Sequence, residues 1–330
     1  MKGKLRFGVI GAGGFAEVCH IPGLQSHPQA EVVALCGRRA DHAQAMAQRL
    51  HIPDVYTDYH ELLARDDIDG VSIVTPNVSH AEIAIAALQA GKHVICEKPL
   101  AMNPQDAQRM WQVAAATAAN SGRIHMVAFT MRYLHCLAKL REMVRAGAIG
   151  TPHYIRIRGE SMGGLSPKYR AQWRDVKALS GGGMLQDMGS HYVDLVHWIM
   201  APIGEVCGTL LNIPHTRPHV VTGEPTAIDA DDLNAVFFRT TTGILGDYML
   251  SRVTPNHGEW GFEVVGSEGA LMGQINRGNR DELSLLPLDG QWQPVPLPAE
   301  TQIHEPLALG RMMRSFVDAI LRGAPDGDRD

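Results

Sequence analysis

The chain has 330 residues, of which 45% are hydrophobic and 20% charged, with a formal net charge of -5. That length exceeds one ordinary domain, so two are expected, each able to bury its own core; the mild acidity and scattered basic residues give no reason to expect nucleic acid or an anionic membrane as partner. No window approaches ~18 uninterrupted apolar residues, so nothing reads as a membrane span.

Residues 5–10 form the apolar run of a buried parallel strand and lead directly into Gly11-Ala12-Gly13-Gly14-Phe15-Ala16. Gly8 and Gly11 interrupt the apolar run, which argues against a signal peptide in this stretch. The spacing of Gly11, Gly13 and Ala16 fits the G-x-G-x-x-G/A dinucleotide fingerprint, placed after a strand and before a helix, and Gly14 and Phe15 complete the loop. The first glycine makes the turn, the second admits backbone close to a pyrophosphate, and the helix N-terminus meets its charge. A bare turn is the alternative for such a motif alone. The second strand, 31–36, ends in Gly37-Arg38-Arg39, with no carboxylate before Asp41. An acid there hydrogen-bonds the ribose of NAD(H), whereas Arg38 and Arg39 stand where a 2′-phosphate lies. Guanidinium forks match phosphate, so NADP(H) is favoured and NAD(H) stays open, with two solvated arginines as the plainer reading.

The alternation continues through helix 41–50, a short strand near Val55, helix 59–64, strand 70–74, helix 79–90 and strand 93–96. Asn103 and Pro104 open a long Ala-rich helix, and strand 124–129 follows. Such βα alternation predicts a parallel sheet covered on both faces, a first domain over 1–127. Two strand ends carry chemistry: Thr75-Pro76-Asn77 with His80 one turn later, and Glu97-Lys98-Pro99-Leu100. Ligands bind outside the carboxyl ends of such strands, so Lys98 belongs beside the nicotinamide, where it can polarise a carbonyl, hydrogen-bond an alkoxide or relay a proton. Glu97 tempers its charge. Taken alone, Glu-Lys-Pro is also an ordinary surface turn.

The second domain, 128–330, has a different texture. Runs at 153–158, 233–238, 243–250 and 261–265 are separated by Gly, Pro and Asn, which predicts an antiparallel sheet. Arg156 and Arg158 alternate with apolar residues and read as a solvated face. Residues 212–226 read as an excursion loop, 311–321 as a last amphipathic helix and 323–330 as a turn or frayed tail. The five cysteines, Cys19, Cys36, Cys96, Cys136 and Cys207, are widely spaced and read as buried thiols of a cytoplasmic protein. Between these runs lies Gly181-Gly182-Gly183 and then a helix in which Asp187, His191 and Asp194 recur at four- and three-residue intervals, one face of an α-helix. A carboxylate one turn before an imidazole fixes its tautomer for proton transfer. An Asp favoured by the helix dipole, with a His one turn on by chance, gives the same spacing. No further His or Cys stands at ligand spacing, so no metal is expected.

In order and spacing, Gly11 to Ala16, Thr75-Pro76-Asn77 with His80, Glu97-Lys98-Pro99-Leu100 and Gly181 to Asp194 resemble the Gfo/Idh/MocA oxidoreductases, the glucose-fructose oxidoreductase and inositol dehydrogenase family. The resemblance implies an α/β protein: an N-terminal Rossmann doubly wound parallel sheet plus a C-terminal α+β domain with an open-faced, mostly antiparallel sheet, the active site lying between them. It implies hydride transfer between nicotinamide and a secondary carbinol of a sugar, cyclitol or related polyol, with Lys98, Asp187 and His191 around the reacting carbon. His191 moves the proton, Lys98 supplies charge and Asp187 orients both. Arg132 and Tyr133, after the sixth strand, and Trp173 and Arg174, upstream of the glycines, match segments that border substrate in similar proteins, with structural packing as the alternative. A homodimer or homotetramer through the C-terminal sheet is implied too. Some relatives use tightly bound cofactor for a transient oxidation that drives elimination, which makes a glycosidase-type enzyme the alternative. The chain ends soon after its last helix, where relatives commonly add another helix packed on the first domain.

Overall fold

β1 (Leu5–Ile10), β2 (Ala30–Cys36), β3 (Asp54–Tyr56), β4 (Gly70–Ile73), β5 (His93–Cys96) and β6 (His125–Val127) form an all-parallel sheet in the order β3-β2-β1-β4-β5-β6. The structure is a computed structural model that describes residues 3–213, 215–255, 259–276, 281–298 and 306–325. These strands are apolar without alternation because both faces are covered: Phe7, Val9, Leu35, Ile73 and Ile95 are all buried. Strand order reverses between β1 and β4, the switch point at which such sheets bind ligands. The connections are α1 (Ile21–Gln25), α2 (Ala40–Arg49), α3 (Tyr59–Leu63), α4 (His80–Gln89) and α5 (Pro104–Ser121). As its sequence predicts, α5 starts with the Asn103 side chain accepting from Asp106 N at 2.9 Å and with Pro104 in the first turn, and Gly122 at φ 63° ends it.

At the opposite end of this sheet, His93 is buried with both ring nitrogens facing donors: Ile124 N lies 2.9 Å from Nδ1 and an Arg123 nitrogen 3.2 Å from Nε2. Burial, followed by the Arg123 charge, lowers its pKa to about 4. The unfolded chain takes up this proton near the ordinary histidine value and the folded one does not, so stability is full above that value and falls as the pH drops towards 4. Thermal midpoints of the parent should therefore decline from neutral pH to pH 5 more steeply than those of His93→Gln. Equal slopes would contradict this assignment.

In the second unit α6 (His135–Arg145), α7 (Lys177–Ser180) and α8 (Ser190–Ile199) accompany β7 (Pro152–Glu160), β8 (Ile203–Leu211), β9 (His215–Pro218), β10 (Pro225–Ile228), β11 (Leu233–Thr240), β12 (Leu245–Ser251), β13 (Glu259–Gly266), β14 (Gly269–Asn276), β15 (Glu282–Pro287) and β16 (Gln293–Pro294). Eight strands form one sheet, β16-β15-β14-β13-β7-β12-β11-β8, antiparallel except for the β7–β12 pair. Ile155, Ile157, Val236 and Phe238 face the core. There Tyr192 of α8 meets Phe262 edge-on at 5.7 Å, and Gly159 leaves room for its ring. On the other face Arg156 and Arg158 are not merely solvated: both engage the buried carboxylate of Asp247, and Arg156 also meets Glu263 at 3.4 Å.

Several expectations need correction. Residues 212–226 do not form a plain loop; β9 and β10 pair there as an antiparallel hairpin, because backbone pairing tolerates Pro218 and Pro225 at strand ends. Cys207 is exposed on β8, whereas the other four cysteines are buried, and none of the five is in a disulfide. The two compact units are Met1–Tyr133 with Glu305–Asp330, and Leu134–His304. The expected boundary at 127/128 thus moves, and the closing helix α9 (Pro306–Arg322) belongs with the first unit. Met312, Met313, Phe316 and Val317 of α9 share a core with Phe7 and Leu24, the Phe7 and Phe316 ring centroids lie 6.0 Å apart, and Arg311 donates to the Tyr133 carbonyl. The tail expected at 323–330 lies outside the described residues from 326 onward.

Candidate active site

The end of β1 is held by Gly11 N to Cys36 O at 2.8 Å and Val74 N to Ile10 O at 2.8 Å. Gly11 has φ 118°, and a Cβ there would overlap the Val74–Thr75 backbone, so this position requires glycine for both conformation and space. Gly13 and Gly14 differ: both are exposed, and a Cβ on either would meet no protein atom within 4 Å. Nothing in the chain itself requires them to be glycine, so the open surface fits a dinucleotide whose pyrophosphate approaches the backbone. The helix begins with a π-helical turn, Ala16–His20, before α1. At the end of β2, Gly37 packs on Ala12 and Ala43, which brings the strand end beside the glycine loop. Arg38 and Arg39 follow, both exposed and engaged by no other side chain among the described residues.

The ends of β4 and β5 are tied together from beneath. His20, fully buried, places Nδ1 2.7 Å from Ser72 Oγ and Nε2 2.9 Å from Glu97 Oε1. The second Glu97 oxygen accepts from Lys98 N at 3.2 Å. The Glu97 carboxylate therefore turns into the protein as the partner of His20, and Lys98, half-buried, begins the cis Lys98-Pro99 bond. The sequence offered Glu97 as tempering the charge of Lys98 and left His20 without a role. His80 is also buried, its nitrogens each 2.9 Å from a carbonyl oxygen, of Pro99 and of Thr75. Both carbonyls are acceptors, so satisfying both requires the imidazolium, while burial outweighs them and lowers the pKa; the neutral ring donates to one. It joins the Thr75-Pro76-Asn77 turn to the segment after Lys98, and Ser79 Oγ donates to Thr75 Oγ1 at 2.9 Å in the same turn. Asn77 is buried and Phe15 packs edge-on against His20 at 5.5 Å.

In the second unit, the segment after the three glycines is not one regular helix. Leu185–Gly189 is a π-helical turn that carries Asp187, and α8 starts at Ser190 with His191 in its first turn. The uniform 3.6-residue stripe is thus broken between Asp187 and His191. Asp187 is half-buried, while His191 and Asp194 are 5% and 7% exposed. Upstream, Arg174 is exposed and lies 4.5 Å over the ring of its neighbour Trp173. Asp175, next in sequence, is fully buried. It accepts from Tyr169 Oη at 2.7 Å and from Arg252 at 2.6 Å, and Arg252 Nε donates in turn to the fully buried Asp232 at 2.7 Å.

Residues 5–128 match the family described as "Oxidoreductase family, NAD-binding Rossmann fold", and residues 137–272 match the GFO/IDH/MocA C-terminal domain. The myo-inositol 2-dehydrogenase of Thermotoga maritima is 31% identical over 81% of this chain and 74% of its own length. The chain belongs to the Gfo/Idh/MocA oxidoreductase family. Levoglucosan dehydrogenase of Pseudarthrobacter phenanthrenivorans is 30% identical over 74% of this chain, and the matched part spans 64% of that enzyme. A levoglucosan dehydrogenase solved with NADH and levoglucosan superposes with a TM-score of 0.87 at 26% identity, covering 99% of this chain and 92% of that one. An oxidoreductase domain protein from Kribbella flavida gives 0.88 at 30% identity over 98% of this chain and 92% of its own.

The glycine loop and Lys98 lie on the first unit, and Asp187 and His191 on the second. Of the four residues expected to border substrate, Trp173 and Arg174 are half-buried and exposed, and Arg132 is half-buried beside Phe129, 5.6 Å from its ring. Tyr133 is different. It is 3% exposed in the core of the first unit, and its hydroxyl meets Met126 Sδ at 3.9 Å, so the structure gives it to packing. Among the described residues no cluster of three or more His, Cys, Asp or Glu could hold a metal, and no helix is long and apolar enough to cross a membrane.

Proposed function

We propose that the protein is a nicotinamide-dependent dehydrogenase or reductase acting on a secondary carbinol of a sugar, cyclitol or related polyol. The observation that carries this reading is the likeness, over nearly the whole chain, to an enzyme solved with NADH and levoglucosan, in a chain that keeps Lys98, Asp187 and His191. A dinucleotide bound with its pyrophosphate at the glycine loop would supply, through its nicotinamide, the hydride acceptor or donor. Gly11, Gly13, Gly14, Phe15 and Ala16 hold the pyrophosphate, and Thr75, Pro76 and Asn77 border the nicotinamide side, with Glu97 and His80 bracing those turns from within. His191 takes the hydroxyl proton when the carbinol is oxidised and returns it on reduction. Lys98 stabilises the developing oxyanion, and Asp187 orients both. Arg132, Trp173 and Arg174 contact the polyol.

The exposed guanidiniums of Arg38 and Arg39 favour NADP(H), although the solved relative carries NADH. Fluorescence titrations with NADPH and NADH side by side should show tighter NADPH binding in the parent. Arg38→Asp should weaken NADPH by about tenfold or more, the scale of one charge-assisted hydrogen bond, and leave NADH nearly unchanged; an unchanged ratio would contradict the arginine assignment. Cofactor that cannot be washed out, with a glycoside cleaved and no net redox change, would instead support the glycosidase-type alternative. The outer sheet face, with Phe237 65% and Leu245 45% exposed, supports assembly into a homodimer or homotetramer in a cytoplasmic protein.

A further inference from the structure

The turn that carries Asp187 begins at glycines, and a helix start leaves backbone N–H groups without intrahelical partners. Neither the π-helical turn nor α8 has a side-chain cap from its own N-cap residue. The partner comes from another segment. Asp231 Oδ1 accepts from Gly183 N at 2.7 Å, Oδ2 accepts from Leu185 N at 2.9 Å, and the Asp231 carbonyl accepts from Met184 N at 3.0 Å. Three successive N–H groups thus end on one residue that is 8% exposed. A second observation agrees: a Cβ on Gly183 would overlap the Asp231 backbone, so glycine at 183 is required by this approach.

Asp231 is itself held on both sides. Asp229 accepts from Lys177 N at 2.7 Å, and Asp232 accepts from Ile213 N at 2.8 Å and from Arg252. The segment 229–232 is therefore a rigid cradle for residues 175–185. A carboxylate at a helix start is favoured by the dipole and makes charge-assisted hydrogen bonds, which fix rotation and axial position at once. Asp187 lies two residues beyond Leu185 and His191 follows in the next turn, so any slip at 183–185 displaces both.

We infer that Asp231 is a positioning residue for Asp187 and His191, acting through the 183–185 backbone and touching neither substrate nor cofactor. This rests on the proposed roles of Asp187 and His191. Asp231→Asn keeps the shape but replaces one acceptor by a donor facing an N–H, and Asp231→Ala removes both acceptors. Misplacement of about 1 Å costs about 100-fold, so kcat should fall by about that much in Asp231→Ala and by about tenfold in Asp231→Asn, with little change in KM and none in cofactor affinity.

The test measures kcat and KM on whichever of levoglucosan, myo-inositol and methyl D-glucoside the parent oxidises fastest, with cofactor binding by nicotinamide fluorescence. All assays run well below each variant's thermal midpoint, with the core truncation Val264→Ala as stability control. The expected result is a loss confined to kcat that Val264→Ala does not share, with faster amide exchange at 183–187. If Asp231→Ala does not fold, Asp231→Asn decides. Full kcat in the folded Asp231 variants while His191→Ala is inactive overturns the positioning role alone. Full activity in His191→Ala overturns the catalytic reading beneath it.

Discussion

Lys98→Ala and His191→Ala are each expected to lower kcat by about 10²-fold or more while the cofactor still binds. Removing one donor from a developing oxyanion costs about 3 kcal/mol, and removing a positioned general base costs about 10²- to 10⁴-fold. The losses arise in different ways. Lys98 follows Glu97, whose side chain is tied to His20 and, through it, to Ser72, so the lysine stands on a strand end with little freedom to be replaced by a neighbour. His191 is 5% exposed at the start of α8, where bulk water is a poor substitute for it. Steady-state kinetics with cofactor binding measured in parallel checks both. Near-parental kcat in either variant would remove that residue from the chemistry.

Arg252→Met is expected to produce the largest loss of stability. Arg252 joins Asp175 and Asp232, both fully buried, and its side chain is itself only 12% exposed. Removing one partner of a buried ion pair typically costs about 3–5 kcal/mol, because the remaining charge stays buried without its counter-charge, and here two carboxylates remain. Asp175 would keep Tyr169 Oη and the Gln172 amide, and Asp232 would keep Ile213 N, so neither is left bare. At about 2–4 °C per kcal/mol for a unit of this size, the thermal midpoint should fall by about 10 °C. Arg252→Lys, which keeps the charge and loses the fork, should fall between parent and Met. A midpoint within a degree or two of the parent would show that this bridge contributes little.

The first unit was legible because its signals are local. An apolar run followed by Gly11-Ala12-Gly13 states strand, turn and helix in one stretch, and Asn103-Pro104 states a helix start. The order of motifs then joined the two domains into one family pattern. What escaped is contact between distant segments. The pairing of His20 with Glu97 spans 77 positions and that of Gly183 with Asp231 spans 48, and neither leaves a periodic trace. Tyr133 follows a plausible substrate segment, yet the Rossmann core claims it, a choice made by packing rather than by spacing. The hairpin β9–β10 was masked by its prolines, since a strand of four residues ending in proline has the composition of a loop. For α6, the apolar positions Cys136, Leu137, Leu140 and Val144 already trace a helix face, so that element could have been read. Around Asp187 the α-helical period itself failed, because the π-helical turn inserts a different spacing between Asp187 and His191.

The central claim is hydride transfer between nicotinamide and a polyol carbinol, and the most direct measurement is the stoichiometry of turnover. The protein would be incubated with NADP⁺ or NAD⁺ and, separately, levoglucosan, myo-inositol and methyl D-glucoside, with reduced nicotinamide followed by absorbance and the sugar product by mass spectrometry. The account predicts that one of these polyols loses two hydrogens for each nicotinamide reduced, and that His191→Ala stops both signals together. Cleavage of the glycoside with no reduced nicotinamide would contradict it.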